Sequence, residues 1–288
     1  MQEIGSILVV IEPDQSEADS LALKRARLIA GVTDAHLHLL ICDKEQHPHT
    51  AVLLEMKQHL LDEGFSATAE QAWDSSQHRT IIKAQQAEGC GLVIKQHFPD
   101  NPLKKALMTP EDWKLLRFCP SPVLMVKTDR PWTGGVILAA VDVGNHDGEH
   151  RALHYAIVDH GYDIAAVAKG RLHVIAAHPS PMLSAADPVF QRKESIEARY
   201  REQCQEFQTE FEITDERLLI AEGPADVLIP FTAHLLDAAV TIIGTVARTG
   251  IPGALIGNTA EAVLDALESD VLVLKPETTI KHLEELLL

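Results

Sequence analysis

Short apolar runs alternate with longer amphipathic stretches along the chain. Ser6 to Ile11 (Ser-Ile-Leu-Val-Val-Ile) is apolar throughout after its serine and ends in Glu12-Pro13-Asp14. A run of this kind, bounded by turn residues, predicts a strand buried on both faces, as in a parallel sheet. Ser16 to Gly31 spreads Leu21, Leu23, Ala26, Leu28 and Ile29 among charges, which predicts a helix capped by Ser16 or Asp14 and ended by Gly31. Ala35 to Ile41 is the next strand, with His36 and His38 on one face and Leu37 and Leu39 on the other. A helix over Val52 to Glu63 stops at Gly64, and Ser66 to Ala72 alternates as a strand. Thr80 to Glu88 predicts a helix and Gly91 to Lys95 a strand. Gln96 to Lys105 is irregular, Pro110 opens a helix over Asp112 to Arg117, and Pro122 to Lys127 is the last strand. The alternation indicates an α/β domain with a parallel sheet.

Turn residues then interrupt the pattern at Asp129 to Gly135, and the order repeats. Val136 to Val141 ending in Asp142 mirrors Ile7 to Ile11 ending in Glu12. Arg151-Ala-Leu-His-Tyr-Ala156 follows Asp142 at the distance at which Leu21-Ala-Leu-Lys-Arg-Ala26 follows Glu12. Leu172-His173-Val174 answers Leu37-His38-Leu39, and Ser269 to Lys275 answers Ser121 to Lys127. Helices over Gly148 to Lys169, Glu194 to Glu210 and Ala225 to Leu236 and a strand over Leu218 to Ala221 complete the second unit. A repeat of this length shapes the whole fold. It predicts two tandem α/β domains, each a five-stranded, mostly parallel sheet with helices on both faces. Their bounds are 1–128 and 136–276, with a linker at 129–135 and a tail at 277–288 that covers a sheet edge or packs on a neighbour.

Composition narrows the function. A net charge of −17 repels a nucleic-acid backbone. No apolar run approaches the roughly 20 residues of a membrane span, and no leader pattern is visible, so the expected setting is the cytoplasm. Cys42, Cys90, Cys119 and Cys204 form no Cys-x-x-Cys pair and read as reduced core thiols. The 15 histidines include His36 with His38 and His47 with His49, but no third and fourth ligand accompanies either pair, so no metal site is expected. There is no Gly-x-Ser-x-Gly elbow and no Gly-Lys-Ser/Thr phosphate loop, and hence no visible catalytic chemistry.

One stretch carries candidate chemistry. Val240, Ile242 and Ile243 end at Gly244, a loop with Gly250, Gly253 and Gly257 follows, and a helical pattern opens at Asn258. A buried strand, a glycine loop and a helix N-terminus can cradle a phosphate, because glycines admit close backbone approach and the helix end carries positive partial charge. Glycine loops also simply turn a chain, and the spacing alone does not separate the two readings.

The doubled domain, Gly244-Thr-Val-Ala-Arg-Thr-Gly250 and Leu255-Ile-Gly-Asn-Thr-Ala-Glu261 together resemble the universal stress protein family, and most closely its tandem, E-type members. Met108-Thr-Pro-Glu-Asp-Trp113, followed by Cys119-Pro-Ser-Pro122, is similar to the first domain of those proteins. The resemblance covers nearly the whole chain. It implies a Rossmann-like, adenine nucleotide alpha hydrolase-like fold and a stress-response role. ATP-binding members carry Gly, two residues, Gly, nine residues, Gly, then Ser or Thr. Gly244 and Gly257 fit the first and third glycines, Ala247 replaces the second, and Asn258 replaces the hydroxyl residue. Asp142 fits the acidic residue at the nucleoside side, and Arg248-Thr249-Gly250 matches a common family loop.

Physically, Ala247 adds a methyl that costs roughly 1 kcal/mol where the backbone needs a positive φ. Asn258 can cap the helix, Glu261 can complete a capping box, and Thr259 offers a hydroxyl one step later. The resemblance thus implies ATP or a related adenine nucleotide in domain two, at Asp142, Gly244, Ala247, Arg248, Thr249, Gly257, Asn258 and Thr259. In domain one, Thr109 stands opposite Gly257 and Pro110 opposite Asn258. Proline lacks the N–H a phosphate would use, so a structural half completing a pseudo-dimer is expected there. Homodimerisation through sheet edges is a further expectation, the last strand of each domain joining in cis or in trans. The alternatives are a binding module for a non-nucleotide small ligand, covered by His178 to Pro188 and Gln96 to Met108, or a slow nucleotide hydrolase.

Overall fold

The first alternation of the chain forms β1 (Ser6–Ile11), α1 (Leu21–Thr33), β2 (His36–Cys42), α2 (Thr50–Asp62) and β3 (Ala67–Ala72). It continues as α3 (Gln77–Ala87), β4 (Leu92–Gln96), α4 (Pro110–Phe118) and β5 (Val123–Val126). The second forms β6 (Val136–Val141), α5 (Gly148–Ala168), β7 (Arg171–His178), α6 (Lys193–Glu210) and β8 (Leu218–Glu222). It ends with α7 (Ala225–Leu235), β9 (Ala238–Gly244), α8 (Asn258–Ala266), β10 (Asp270–Leu274) and α9 (Glu277–Leu287). This computed structural model describes residues 4–45, 47–98, 109–144, 147–245 and 258–287.

Among the described residues ten strands lie in one sheet, in the order β3-β2-β1-β4-β5-β10-β9-β6-β7-β8. Each half is parallel, with its first strand in the middle. The halves meet where β5 runs antiparallel to β10, Leu124 opposite Leu272. The two last strands therefore join in cis, and the outer edges of the sheet are β3 and β8. Every residue of β5 and β10 is buried. Such continuous burial is why these runs are apolar rather than alternating, apart from Asp270 at the start of β10.

Two helical layers sandwich the sheet, and the period of two along each strand divides its side chains between them. Ile7, Val9, Ile11, Ile137 and Ala139 share one core with buried residues of α1, α2, α5 and α6. Leu8, Val10, Leu138 and Ala140 share the other with α3, α4 and α8. Both cores run across the two halves. The stretch expected to be a linker is also packed in: Trp132 is buried and its indole N–H donates to Asp270 at 2.8 Å.

Two local expectations are corrected. The first helix is capped by Ser20, whose hydroxyl accepts from the Leu23 N–H at 3.2 Å. Ser16 instead closes a turn with Asp19, which it bonds through both its side chain and its carbonyl. Gly31 stays inside the helix, and Asp34 ends it at φ 55°, a left-handed position that Asp tolerates better than most residues. The tail is a helix, α9, whose Leu283 is buried and which packs on α5.

Candidate functional site

In a parallel sheet, a crevice opens at the carboxyl ends of the strands where the order reverses direction. In the second half this is the gap between β6 and β9, neighbours whose successors lie on opposite sides. Their register, with Ala139 opposite Ile242, brings Asp142 and Gly244 to the same edge. Asp142 is exposed just past β6, and its N–H donates to His154 Nε2 on α5 at 3.3 Å. His154 is buried, and burial pulls its pKa down to about 4 against the opposing pull of Asp142. The ring is thus neutral at neutral pH, as its acceptor role requires.

Two further side chains line this edge. His178 closes β7 and is 1% exposed. Its Nδ1 donates to the Pro179 carbonyl at 2.9 Å, while the buried Nε2 has no hydrogen-bond partner among the described residues and stands 3.9 Å from Glu197. The Tyr200 ring lies 5.6 Å from that imidazole, and its hydroxyl occupies the space a Cβ on Gly144 would need. Burial, then the nearby Asp142 charge, push the Tyr200 hydroxyl upward from its ordinary value. Beside this edge, a cleft of about 350 Å³ opens between α5 and α6, with Val143, Arg151, His154, Tyr155 and Gln203 among its walls.

Gly244 has a packing role that the sequence did not announce. A Cβ there would stand 2.7 Å from Leu153 Cδ2 and 3.0 Å from Ile157 Cδ1. The absent side chain lets α5 close onto β9. Beyond Gly244, the Thr245 N–H donates to the Leu274 carbonyl at 2.9 Å. Asn258 is the first residue of α8, and Thr259 is exposed in its first turn. The Glu261 carboxylate accepts from Arg117 at 2.5 Å. Ala247, Arg248, Thr249 and Gly257 lie outside the described residues, as do residues 99–108 of the expected domain-one cover.

The equivalent corner of the first half is built differently. Lys95 at the end of β4 donates to Asp112 Oδ1 at 2.9 Å, and His97 Nδ1 stands 2.8 Å from Oδ2. Asp112 also sits in a capping box at the start of α4, where its N–H donates to the Thr109 hydroxyl and it accepts the Thr109 N–H. Burial pushes the Asp112 carboxyl up, but His97 and Lys95 overcome this and hold it at about 2. A helix N-terminus attracts an anion, and here the chain supplies its own. With Pro110 aligned on Asn258, the positions of Lys95, His97 and Asp112 are taken in the second half by Ile243, Thr245 and Ala260. No internal carboxylate stands at that position of α8.

The comparisons agree with this doubled architecture. The universal stress protein family matches residues 135–275. The chain is 32% identical to universal stress protein E of Escherichia coli K12, covering 94% of both chains. The chain belongs to the universal stress protein family. Among solved structures, a universal stress protein from Pseudomonas aeruginosa superposes with a TM-score of 0.90 at 68% identity, covering 99% of this chain and 98% of that one. A universal stress protein from Archaeoglobus fulgidus shares the fold with a TM-score of 0.63 at 18% identity, covering 95% of this chain and 99% of that one. The tandem, E-type resemblance thus holds over both halves. Within this family fold, the sequence motif pointed to Asp142 and Gly244 but missed His178 and Tyr200. The signal for Tyr200 was present as a helical stripe with Ile196, Cys204 and Phe207, which speaks of core and not of a site.

Proposed function

We propose that this universal stress protein is a cytoplasmic nucleotide-responsive adaptor that binds ATP or a related adenine nucleotide in its second unit, residues 136–276, without catalytic turnover. The observation that carries the reading is the convergence of Asp142 and Gly244 on adjacent strands at the switch point, beside a helix that opens at Asn258. Asp142 is exposed and free to meet ribose hydroxyls, and Thr259 offers a hydroxyl in the first turn of α8. The remaining motif residues, Ala247, Arg248, Thr249 and Gly257, would contribute backbone and side-chain donors to the phosphates. The first unit, residues 1–128, keeps the fold but fills its own helix end with Asp112, and so acts as the structural half. No membrane-spanning helix is found among the described residues, in keeping with this reading.

Calorimetric titration of the full chain with ATP tests it. One site per chain is expected, lost in Asp142→Ala and retained in Glu12→Ala, the equivalent change in the first unit. Absence of heat at millimolar ATP removes the reading. A second reading, a non-nucleotide small ligand, is favoured by the cleft between α5 and α6, whose volume lies in the range of small-molecule sites. Native mass measurement of the purified chain separates the two, since a retained mass other than a nucleotide's identifies the second.

A further inference from the structure

At the carboxyl edge of the second half the strands stand in the order β9, β6, β7 and carry Gly244, Asp142 and His178 in turn. A nucleotide that offers its ribose to Asp142 and its phosphates to the side of Gly244 and α8 points its base toward β7. Tyr200 already stands there. It is buried, and its ring lies 5.6 Å from the His178 imidazole. A Cβ on Gly144 would overlap its hydroxyl and would stand 3.0 Å from its Cζ and 3.5 Å from Asp142 Oδ1. The tip of the tyrosine and the Asp142 carboxylate thus meet over the same glycine.

This contact differs from ordinary core packing in two ways. The other members of the α6 stripe, Ile196, Cys204 and Phe207, are apolar, whereas Tyr200 carries a hydroxyl past the core to the crevice. That hydroxyl makes no hydrogen bond among the described residues, although a buried tyrosine usually finds a partner. The ring is held by packing alone, and leaving loses it no hydrogen bond. The second difference is Gly144. Its φ is not left-handed, so the backbone does not call for glycine. In the first unit the same place, two residues beyond Glu12, is held by Asp14, which is exposed. A side chain is excluded only where the tyrosine reaches. Beside the ring lies the buried His178 Nε2, an acceptor without a partner among the described residues, which a ligand could use once the ring has left.

We propose that Tyr200 is the gate of the second crevice: its ring closes the base position and must turn out before a nucleoside occupies it. The gate rests on the reading of this crevice as a nucleotide site and sets how tightly that site binds. Only chains with the ring turned out can bind, so the apparent affinity falls by the fraction that is open. The site then fills only at nucleotide concentrations above those its open form would need.

Calorimetric titration of the full chain and its variants with ATP tests the proposal. Tyr200→Leu keeps the α6 stripe apolar but withdraws the ring from Gly144. It should tighten binding about tenfold, the gain when a closed state populated about nine times in ten is removed. Gly144→Ala should tighten binding in the same direction, because the added methyl takes the place of the hydroxyl and expels the ring. This second variant leaves the core side chains intact, so the test does not depend on the folding of the first. In a Tyr200→Leu background, Gly144→Ala should add nothing further. Tyr200→Phe keeps the ring and should stay near the affinity of the unaltered chain. ATP binding that neither Tyr200→Leu nor Gly144→Ala strengthens overturns the gate while the nucleotide site stands. Weaker binding in Tyr200→Leu also overturns it, since Tyr200 is then a wall of the site. Absence of heat in every one of these proteins overturns both the gate and the site.

Discussion

The Arg25 guanidinium lies 2.8 Å from the Asp270 carboxylate, both buried, one in each half of the sheet. Around this pair the chain closes on itself. The Asp270 carboxylate also accepts the N–H groups of Lys127 and Thr128 and the indole N–H of Trp132. Arg25 donates to the carbonyls of Thr128 and Arg130 and stacks 5.0 Å from the Trp132 ring. Burial raises the Asp270 carboxyl from its ordinary value, while Arg25 and the N–H donors oppose it. Helix, connecting segment and last strand are thus tied at one point, which orients the two crevices relative to each other.

Removing one partner should therefore cost far more than a surface pair would. Arg25→Met leaves a buried carboxylate short of its cation, and a loss of about 3–5 kcal/mol is expected from urea unfolding. Asp270→Asn alone should be similarly harmful. The double variant should lose much less than the sum, because neither charge is then stranded. Additive losses would show that the pair does not act as a unit.

Acid should act on the first half through Asp112. Its folded pKa of about 2 lies below the ordinary 3.8, so its stabilisation is complete above about pH 4. As pH falls through about 2, that contribution of about 2 kcal/mol is lost. Asp112→Ala should remove the acid-dependent part. At neutral pH it should also cost about 3–5 kcal/mol, since Lys95 and His97 stay buried without their carboxylate. Urea unfolding of both proteins at pH 7 and pH 3 measures this, and equal acid sensitivity would assign the effect elsewhere.

The inner strands were legible where they are apolar runs buried on both faces: β1 and β6 have the bounds the pattern predicts. Helix starts were harder to see. Ser16 and Ser20 are both competent caps four residues apart, and only the Ser16–Asp19 turn decides between them. Continuity of the sheet was left open, because β5 and β10 would read the same whether joined within one chain or between two. In the crevices, the glycine motif drew notice to Gly244 as a phosphate contact, while its packing against Leu153 is a three-dimensional fact. Asp112 was visible only as a residue of a short helix. Its bonds to Lys95 and His97 span β4 to α4 and leave no local pattern.

Gly244 should matter without any ligand. Gly244→Ala forces a methyl into the Leu153 and Ile157 side chains, and such overpacking costs about 1–3 kcal/mol. Thermal unfolding of the nucleotide-free chain should show the loss. In a Leu153→Ala background the same change should cost less, because the clash is relieved. An unchanged midpoint for Gly244→Ala would leave phosphate approach as the sole reason for the glycine.

His154 couples the second crevice to pH. Its folded pKa of about 4 lies below the ordinary 6.5, since burial disfavours the imidazolium. A depressed pKa means that the unfolded chain takes up the proton first. Stability from this group is therefore whole above about pH 6.5 and falls until pH reaches about 4, by up to about 3 kcal/mol. Protonation would also convert Nε2 from the acceptor of the Asp142 N–H into a competing donor, loosening the end of β6. His154→Gln keeps an acceptor without a titrating proton. Its unfolding free energy should vary less than that of the unaltered chain between pH 7 and pH 4.5, and parallel pH profiles for the two proteins would show that His154 is not the group responsible.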